Sequence, residues 1–483
     1  MTEHDLVILG GGAAGFAAAI RADEMGKRAL MVDDDALGLG GTCVNVGCVP
    51  TKFLVGVARR LKHLREPGVP GLKVPAGGLD FGFDYSEVQA AMEELVTTLR
   101  TEKYEGVVEA LPGVDLVRGR GHFPSADQLA VGGETFEADR VVVATGSRAK
   151  LPPVPGLTAE ELGDRLLTHV ELLRLKRVPS HLLVLGAGPQ GLELAQAFAR
   201  FGSHVDVLEL LPKFLPAEEP ELASLLLHYL NEERVNVHLG VRVTKAGLAP
   251  SGGDRGVELL AEVGGREVTF RGSHVLVATG RSANSSGLGL EARGVELGRD
   301  GSVRVDGSMR ASRTTPTWAA GDVTGGPLLE TVAAKEGWAA ATNALSDGGA
   351  PVVVDNSGVP RTTFTDPPLS SAGLTDAEAN ETGITCACTT VPFKAIPRAR
   401  VDLDPRGAIK MVANARSHEV LGVHVLATSA PELIHEAAVV VAARWTIEQV
   451  IRLTHVFPTR AEAIKLAALS FTRDVDKLSC CVV

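Results

Sequence analysis

The stretch "HDLVILGGGAAGFAAAIRADEMGKRALMVDDD", residues 4–35, decides the fold. An apolar run predicts a strand, which turns through Gly10-x-Gly12-x-x-Gly15 into an alanine-rich helix. A second apolar run then ends at Asp33. Strand, glycine turn, helix and strand make a complete βαβ unit, with an acid about 20 residues after the glycines. A bare glycine triplet would fit any tight turn. "SHLLVLGAGPQGLELAQAFARFGSHVDVLEL", residues 180–210, repeats the whole grammar with Gly186, Gly188, Gly191 and Glu209. Two complete units predict two dinucleotide sites. In each, the glycines let backbone approach a pyrophosphate at a helix N-terminus, and the acid accepts hydrogen bonds from the adenosine ribose.

Further echoes follow outward from these units. "RVVVATGSR" (140–148) and "HVLVATGRSAN" (274–284) each run a buried strand into Ala-Thr-Gly, one late after each unit. "TTPTWAAGDVTGG" (314–326) places Asp322 at a strand's C-terminal end, where open α/β sheets bind ligands, although a carboxylate capping the next helix would read alike. The linker-like "SDGGAPVVVDNSGVP" (346–360) precedes a segment with strands predicted near 385–393, 408–413 and 420–426 and helices after. That segment has no nucleotide signature, and subunit pairing is its natural task. The predicted class is α/β, with two Rossmann-like domains and a C-terminal α+β domain.

Composition bounds the rest. The 483 residues suffice for about three domains. A net charge of −11 without basic runs argues against nucleic-acid or anionic-membrane partners. No apolar stretch approaches the ~20 residues of a bilayer span. The opening "MTEHDLVILGGG" enters a strand at once, leaving no room for a leader, so a cytoplasmic location is expected.

Six cysteines fall as three close pairs, which in such a setting reads as redox or metal chemistry. In "GGTCVNVGCVPTK" (40–52), Cys43 and Cys48 stand where the chain enters an apparent helix, and Gly47 permits a bend that brings the sulfurs together. A helix N-terminus favours a thiolate. Beside a dinucleotide fold, this pair reads as a redox-active disulfide exchanging electrons with a flavin. Cys386 and Cys388, in "GITCACTTVPF" (383–393), read instead as small buried side chains of an alternating strand. Cys480 and Cys481 lie on the tail "DVDKLSCCVV" (474–483).

The order of these motifs, with "FTDP" at 364–367, resembles the pyridine nucleotide-disulfide oxidoreductases over essentially the whole chain. The resemblance implies an FAD-binding domain over 1–148 and an NAD(P)H-binding domain over 149–275. It also implies a central domain over 276–348 that completes the FAD site, and a homodimerisation domain over 361–483. By motif, Asp33 would bind the FAD ribose and Asp322 the ribityl chain, with Thr42, Gly146 and Gly280 among the cofactor contacts. Lys52 would lie near the flavin and pair with Glu193 beside the nicotinamide. Cys48 would be the thiolate facing the flavin, and Cys43 the interchange thiol.

Disulfide reductases of the family carry His-Pro-Thr-x-x-Glu near the C-terminus. Here "HVFPTRAEAIKLAA" (455–468) keeps Glu462 but puts Phe457 in the histidine's place, and phenylalanine transfers no proton. His455 is the available substitute. "SFTRDVDKLSCC" (470–481), "EKYEGV" (102–107) and "VPFKAIPRARVDLDPRGAIK" (391–410) resemble the mercuric reductase branch. Soft thiolates suit a soft ion. The resemblance implies that Cys480 and Cys481 of one subunit deliver thiol-bound Hg(II) to Cys43 and Cys48 of the other. Departures are Phe457 and Pro189, where some relatives have tyrosine, and the lack of an N-terminal metal-binding Cys-x-x-Cys domain. A lipidation box at "CCVV" fits poorly, because valine is an unusual last residue and no polybasic run precedes it. Two alternatives stay open: a disulfide reductase recruiting His455, and a flavoprotein that sequesters thiophilic metal without turnover. Glu209 would repel a 2′-phosphate, so NADH is expected over NADPH, with Lys213 allowing both.

Overall fold

Leu6–Leu9 is buried along its whole length, as a strand covered by helices on both faces must be. It pairs in parallel with Ala29–Asp33 on one side and Val141–Val143 on the other. The complete sheet runs Thr317–Ala319, Val141–Val143, Leu6–Leu9, Ala29–Asp33, Val114–Arg118. The second sheet runs Val235–His238, His204–Leu208, His181–Leu185, His274–Val277, Leu166–Leu167, again all parallel. In both, the strand entering Ala-Thr-Gly lies beside the unit's first strand, so that its glycine reaches the edge where ligands bind. This computed structural model describes residues 4–66, 68–73, 82–249, 256–474 and 477.

Close approach explains the glycine- and alanine-rich composition. A Cβ on Gly15 would lie 1.8 Å from the Gly10 carbonyl oxygen, and one on Gly337 2.0 Å from that of Ala14. The first contact lets helix Ala13–Glu24 sit on its strand. The second lets helix Glu330–Leu345 pack on that helix through Ala14, Ala18, Ala340 and Ala344. The Ala-Thr-Gly segments also join the two units, because Ser147–Ala149 pairs antiparallel with Arg281–Ala283.

The C-terminal sheet is antiparallel: Arg361–Thr363, Leu369–Gly373, Val420–Leu426, Ala408–Asn414, Cys386–Pro392. Its last three strands lie where the alternation predicts them. The first two, short and separated by Pro367 and Pro368, carried too little alternation to be read. Lys410, 2 % exposed, ties this sheet to the second unit by ion pairs to Glu219 (2.7 Å) and Glu221 (3.0 Å), and pairs within its own domain with Asp376 (2.9 Å).

Two expectations are corrected. Cys386 and Cys388 are not buried: Cys386 is half-buried and Cys388 exposed, with their sulfurs 3.9 Å apart. Their strand is at the sheet edge, and period-2 alternation turns Val391 inward and both cysteines outward. Further, the helical run Gly41–Arg65 does have the length and apolar composition of a membrane span. Its Leu54, Ala58 and Leu61 instead pack into one core with Leu194 and Phe198 of helix Pro189–Phe201.

Candidate active site

Cys43 sits in the short helix Gly41–Val46, and Cys48 opens the helix Cys48–Arg65. Gly47 between them is needed for space, since a Cβ there would lie 2.7 Å from the Thr42 carbonyl oxygen. The two thiols hydrogen-bond each other, and the pair splits. Cys48 is drawn down to about 7, chiefly by the hydrogen bond from Cys43 and further by the Lys52 charge, against burial and Glu330. Cys43 is pushed far up, first by that same hydrogen bond and then by burial. One sulfur is poised as a thiolate and the other keeps its proton.

One turn on, Lys52 Nζ donates to Glu193 Oε2 at 2.7 Å. Glu193 is 2 % exposed on helix Pro189–Phe201, and its Oε1 accepts from the Phe364 amide at 2.8 Å. Lys52 also stands over the Phe364 ring, 4.7 Å from its centroid. The first unit, the second unit and the start of the C-terminal domain therefore meet at one carboxylate beside the cysteines.

Asp322 does not cap a helix with its side chain. It accepts from the Ser147 hydroxyl and lies 3.5 Å from Arg281 Nε. Arg281 also donates to the Ser147 carbonyl at 2.8 Å and to Thr42 Oγ1 at 3.3 Å. Burial lowers the Arg281 pKa, with Asp322 and the Cys48 thiolate acting the other way.

The two glycine turns fit dinucleotides. Helices Ala13–Glu24 and Pro189–Phe201 have no side-chain cap at Gly12 or Gly188, leaving first-turn N–H groups for a diphosphate. The spaces where Gly146, Gly188 and Gly280 would carry a Cβ are open to 4 Å. Each strand-end acid braces its own loop: Asp33 Oδ2 accepts from the Gly11 amide and Glu209 Oε2 from the Ala187 amide, both at 2.7 Å. Glu209 Oε1 also accepts from the Leu211 amide at 2.8 Å. Burial raises the Asp33 pKa, against the lowering pull of its backbone hydrogen bonds.

The remaining candidates lie apart. Glu462 accepts from the Thr459 amide at 3.3 Å, and Phe457 is 53 % exposed on the C-terminal domain. His455 is engaged elsewhere, with Nε2 2.9 Å from Glu436 Oε1. Cys480 and Cys481 lie outside the described residues. Sequence reasoning missed Ser147, Arg281 and Phe364, although each adjoins or lies within a quoted motif: after Gly146, after Gly280 and in "FTDP". Glu330, which acts on both thiols and on Tyr104, carried no local signal.

Comparison with known proteins agrees with this geometry. The pattern of the pyridine nucleotide-disulphide oxidoreductases matches residues 4–381, and that of their dimerisation domain residues 359–468. The chain is 39 % identical to a mercuric reductase of Streptomyces lividans over 99 % of this chain and 98 % of that one. It is 34 % identical to a mercuric reductase of Staphylococcus aureus, over 99 % and 84 % respectively. Among solved structures, the HOCl-induced flavoprotein disulfide reductase RclA from Escherichia coli superposes with a TM-score of 0.84 at 27 % identity, covering 97 % of this chain and 100 % of that one.

Proposed function

This chain belongs to the pyridine nucleotide-disulphide oxidoreductase family, and from that premise we propose that it is an FAD-dependent mercury(II) reductase. The observation that carries the reading is the split Cys43/Cys48 pair in a chain with phenylalanine at 457. A disulfide substrate needs a proton for its leaving thiol, and Phe457 supplies none. Reduction of Hg(II) needs only two thiolate ligands and two electrons: both sulfur–mercury bonds break and Hg(0) leaves.

Bound FAD supplies the two-electron path from NAD(P)H to the thiol site. The chain's own residues do the rest. Gly10, Gly12, Gly15 and Asp33 would hold the adenosine diphosphate half of FAD, with Thr42, Gly146 and Asp322 toward its middle and Arg281 steadying Asp322. Gly186, Gly188, Gly191, Glu209 and Gly280 would hold the nicotinamide coenzyme. Lys52 and Glu193 would form the floor between the two cofactors, the lysine's charge also favouring the Cys48 thiolate. Cys48 and Cys43 would take the metal by ligand exchange, the Cys43 proton being released as the second bond forms.

The boundaries that go with this reading are 1–148 for FAD, 149–275 for NAD(P)H, 276–348 for the central domain and 361–483 for dimerisation. The C-terminal domain pairs two copies of the chain. In that homodimer, Cys480 and Cys481 of one subunit would pass Hg(II) to Cys43 and Cys48 of the other, with Glu462 and Phe457 beside the path. Dependence on NAD(P)H and on reduced thiols supports a cytoplasmic setting. Steady-state NAD(P)H oxidation that requires Hg(II), measured in excess small thiol, tests the function. Oxidation with lipoamide or glutathione disulfide instead would identify a disulfide reductase. Stoichiometric metal uptake without turnover would identify a sequestering protein.

A further inference from the structure

The second nucleotide sheet carries a cluster that this chemistry does not use. His181 opens one strand, His204 opens its neighbour, Asp206 follows two residues later, and His238 ends the third. Parallel register pairs His181 with His204 and Asp206 with Asn236, so all four side chains rise from the same sheet face. That face is the one covered by the meander Val241–Leu248, Val257–Val263 and Arg266–Gly272, and the His238 ring meets Phe270 edge-on at 5.2 Å.

All three rings present Nε2 to one carboxylate. His181 lies 2.7 Å from Asp206 Oδ2, His204 3.4 Å from the same oxygen, and His238 2.8 Å from Oδ1. The donor atoms of His181, His204 and Asp206 all fall within 4.8 Å of one another. A tetrahedral ion with bonds of about 2.0–2.1 Å sets its ligands about 3.3 Å apart, so small side-chain rotations close the set. His204, whose side chain is 55 % exposed, is free to make them, while Asp206, 13 % exposed, anchors the cluster.

We propose that His181, His204 and Asp206, with His238 as fourth donor, bind a borderline divalent transition-metal ion of the zinc(II) class. Imidazole and carboxylate without sulfur suit zinc(II), nickel(II) or copper(II) and do not select the soft Hg(II). The ion would bolt three adjacent strands together on the face opposite helix Pro189–Phe201 without entering the redox site.

Diethylpyrocarbonate labelling of the FAD-loaded enzyme, mapped by peptide mass, tests this with zinc(II) as the probe. Zinc(II) should protect His181, His204 and His238 together while exposed His228 still reacts. Zinc held by the cysteines elsewhere would leave these three histidines reactive, so the readout is specific to the cluster. His204→Gln, at an exposed position, should raise the zinc concentration needed to protect His181 and His238 at least about tenfold. His238→Gln should do the same for His181 and His204. Unchanged labelling of the three histidines at saturating zinc, or His204→Gln and His238→Gln variants protected as readily as the parent, would overturn the proposal.

Discussion

Cys43→Ala removes the hydrogen bond that does most to hold Cys48 ionised. In the intact pair Cys48 titrates at about 7 against an ordinary 9.0. Without Cys43, burial and Glu330 both oppose ionisation and Lys52 stands against them, so the Cys48 pKa returns to 9.0 or above. At pH 7 its thiolate fraction then falls from about one half to about 1 %. The surviving thiolate is the stronger nucleophile, because a Brønsted coefficient of about 0.5 over two pKa units adds about tenfold intrinsic reactivity. The net expectation is alkylation of Cys48 about fivefold slower at pH 7 and about tenfold faster above about pH 10. The two pH profiles therefore cross. Iodoacetamide rates on the reduced, FAD-loaded enzyme, assigned to Cys48 by peptide mapping, measure them directly. A Cys43→Ala midpoint within about half a pH unit of the parent would refute the reasoning, since it would place the origin of the low pKa outside the pair. The variant should also lose Hg(II) reduction while retaining FAD, because the glycine turns and Asp322 that would hold the cofactor do not include the thiol.

Changing Cys480 and Cys481 together to Ala should slow turnover chiefly when Hg(II) arrives as a bulky dithiol complex; equal activity on every thiol complex would exclude a carrier role. Glu209, braced on the Ala187 and Leu211 amides, should make NADH the better coenzyme, and a clearly higher kcat/KM for NADPH would show that the carboxylate turns away from the ribose. Lys410→Met strands Glu219, which is 0 % exposed, and should lower unfolding free energy by about 3–5 kcal/mol. Urea titration checks it, and adding Glu219→Gln should recover part of the loss; a shift under about 1 kcal/mol would show that removing the lysine leaves no stranded charge at Glu219.

The nucleotide units were legible because their requirements are local. A glycine that must let a helix touch its strand, as Gly15 does, stands at a set distance from that strand whatever surrounds it. The dithiol was legible for the same reason, since Cys43, Gly47 and Cys48 bend within one short segment. Strand Cys386–Pro392 shows the limit of local reading. Its alternation was visible, but which face it buries depends on the neighbour and the helices it meets, and the cysteines face outward.

By itself, then, the order of residues determined the two βαβ units, the paired Ala-Thr-Gly strands, the thiol pair at a helix head and the separate C-terminal domain. Each follows from periodicity, backbone freedom or spacing within about 30 residues. Only the tertiary structure decided what surrounds the thiols. The Lys52–Glu193 contact, across 141 positions, was expected only through the family resemblance and from no local pattern, and Arg281 reaching Thr42 across 239 was not expected at all. It also gathered His181, His204 and His238 around Asp206 through the register of three parallel strands. Charge pairing and burial act through space between segments distant in the chain, and no local pattern records which segments will meet.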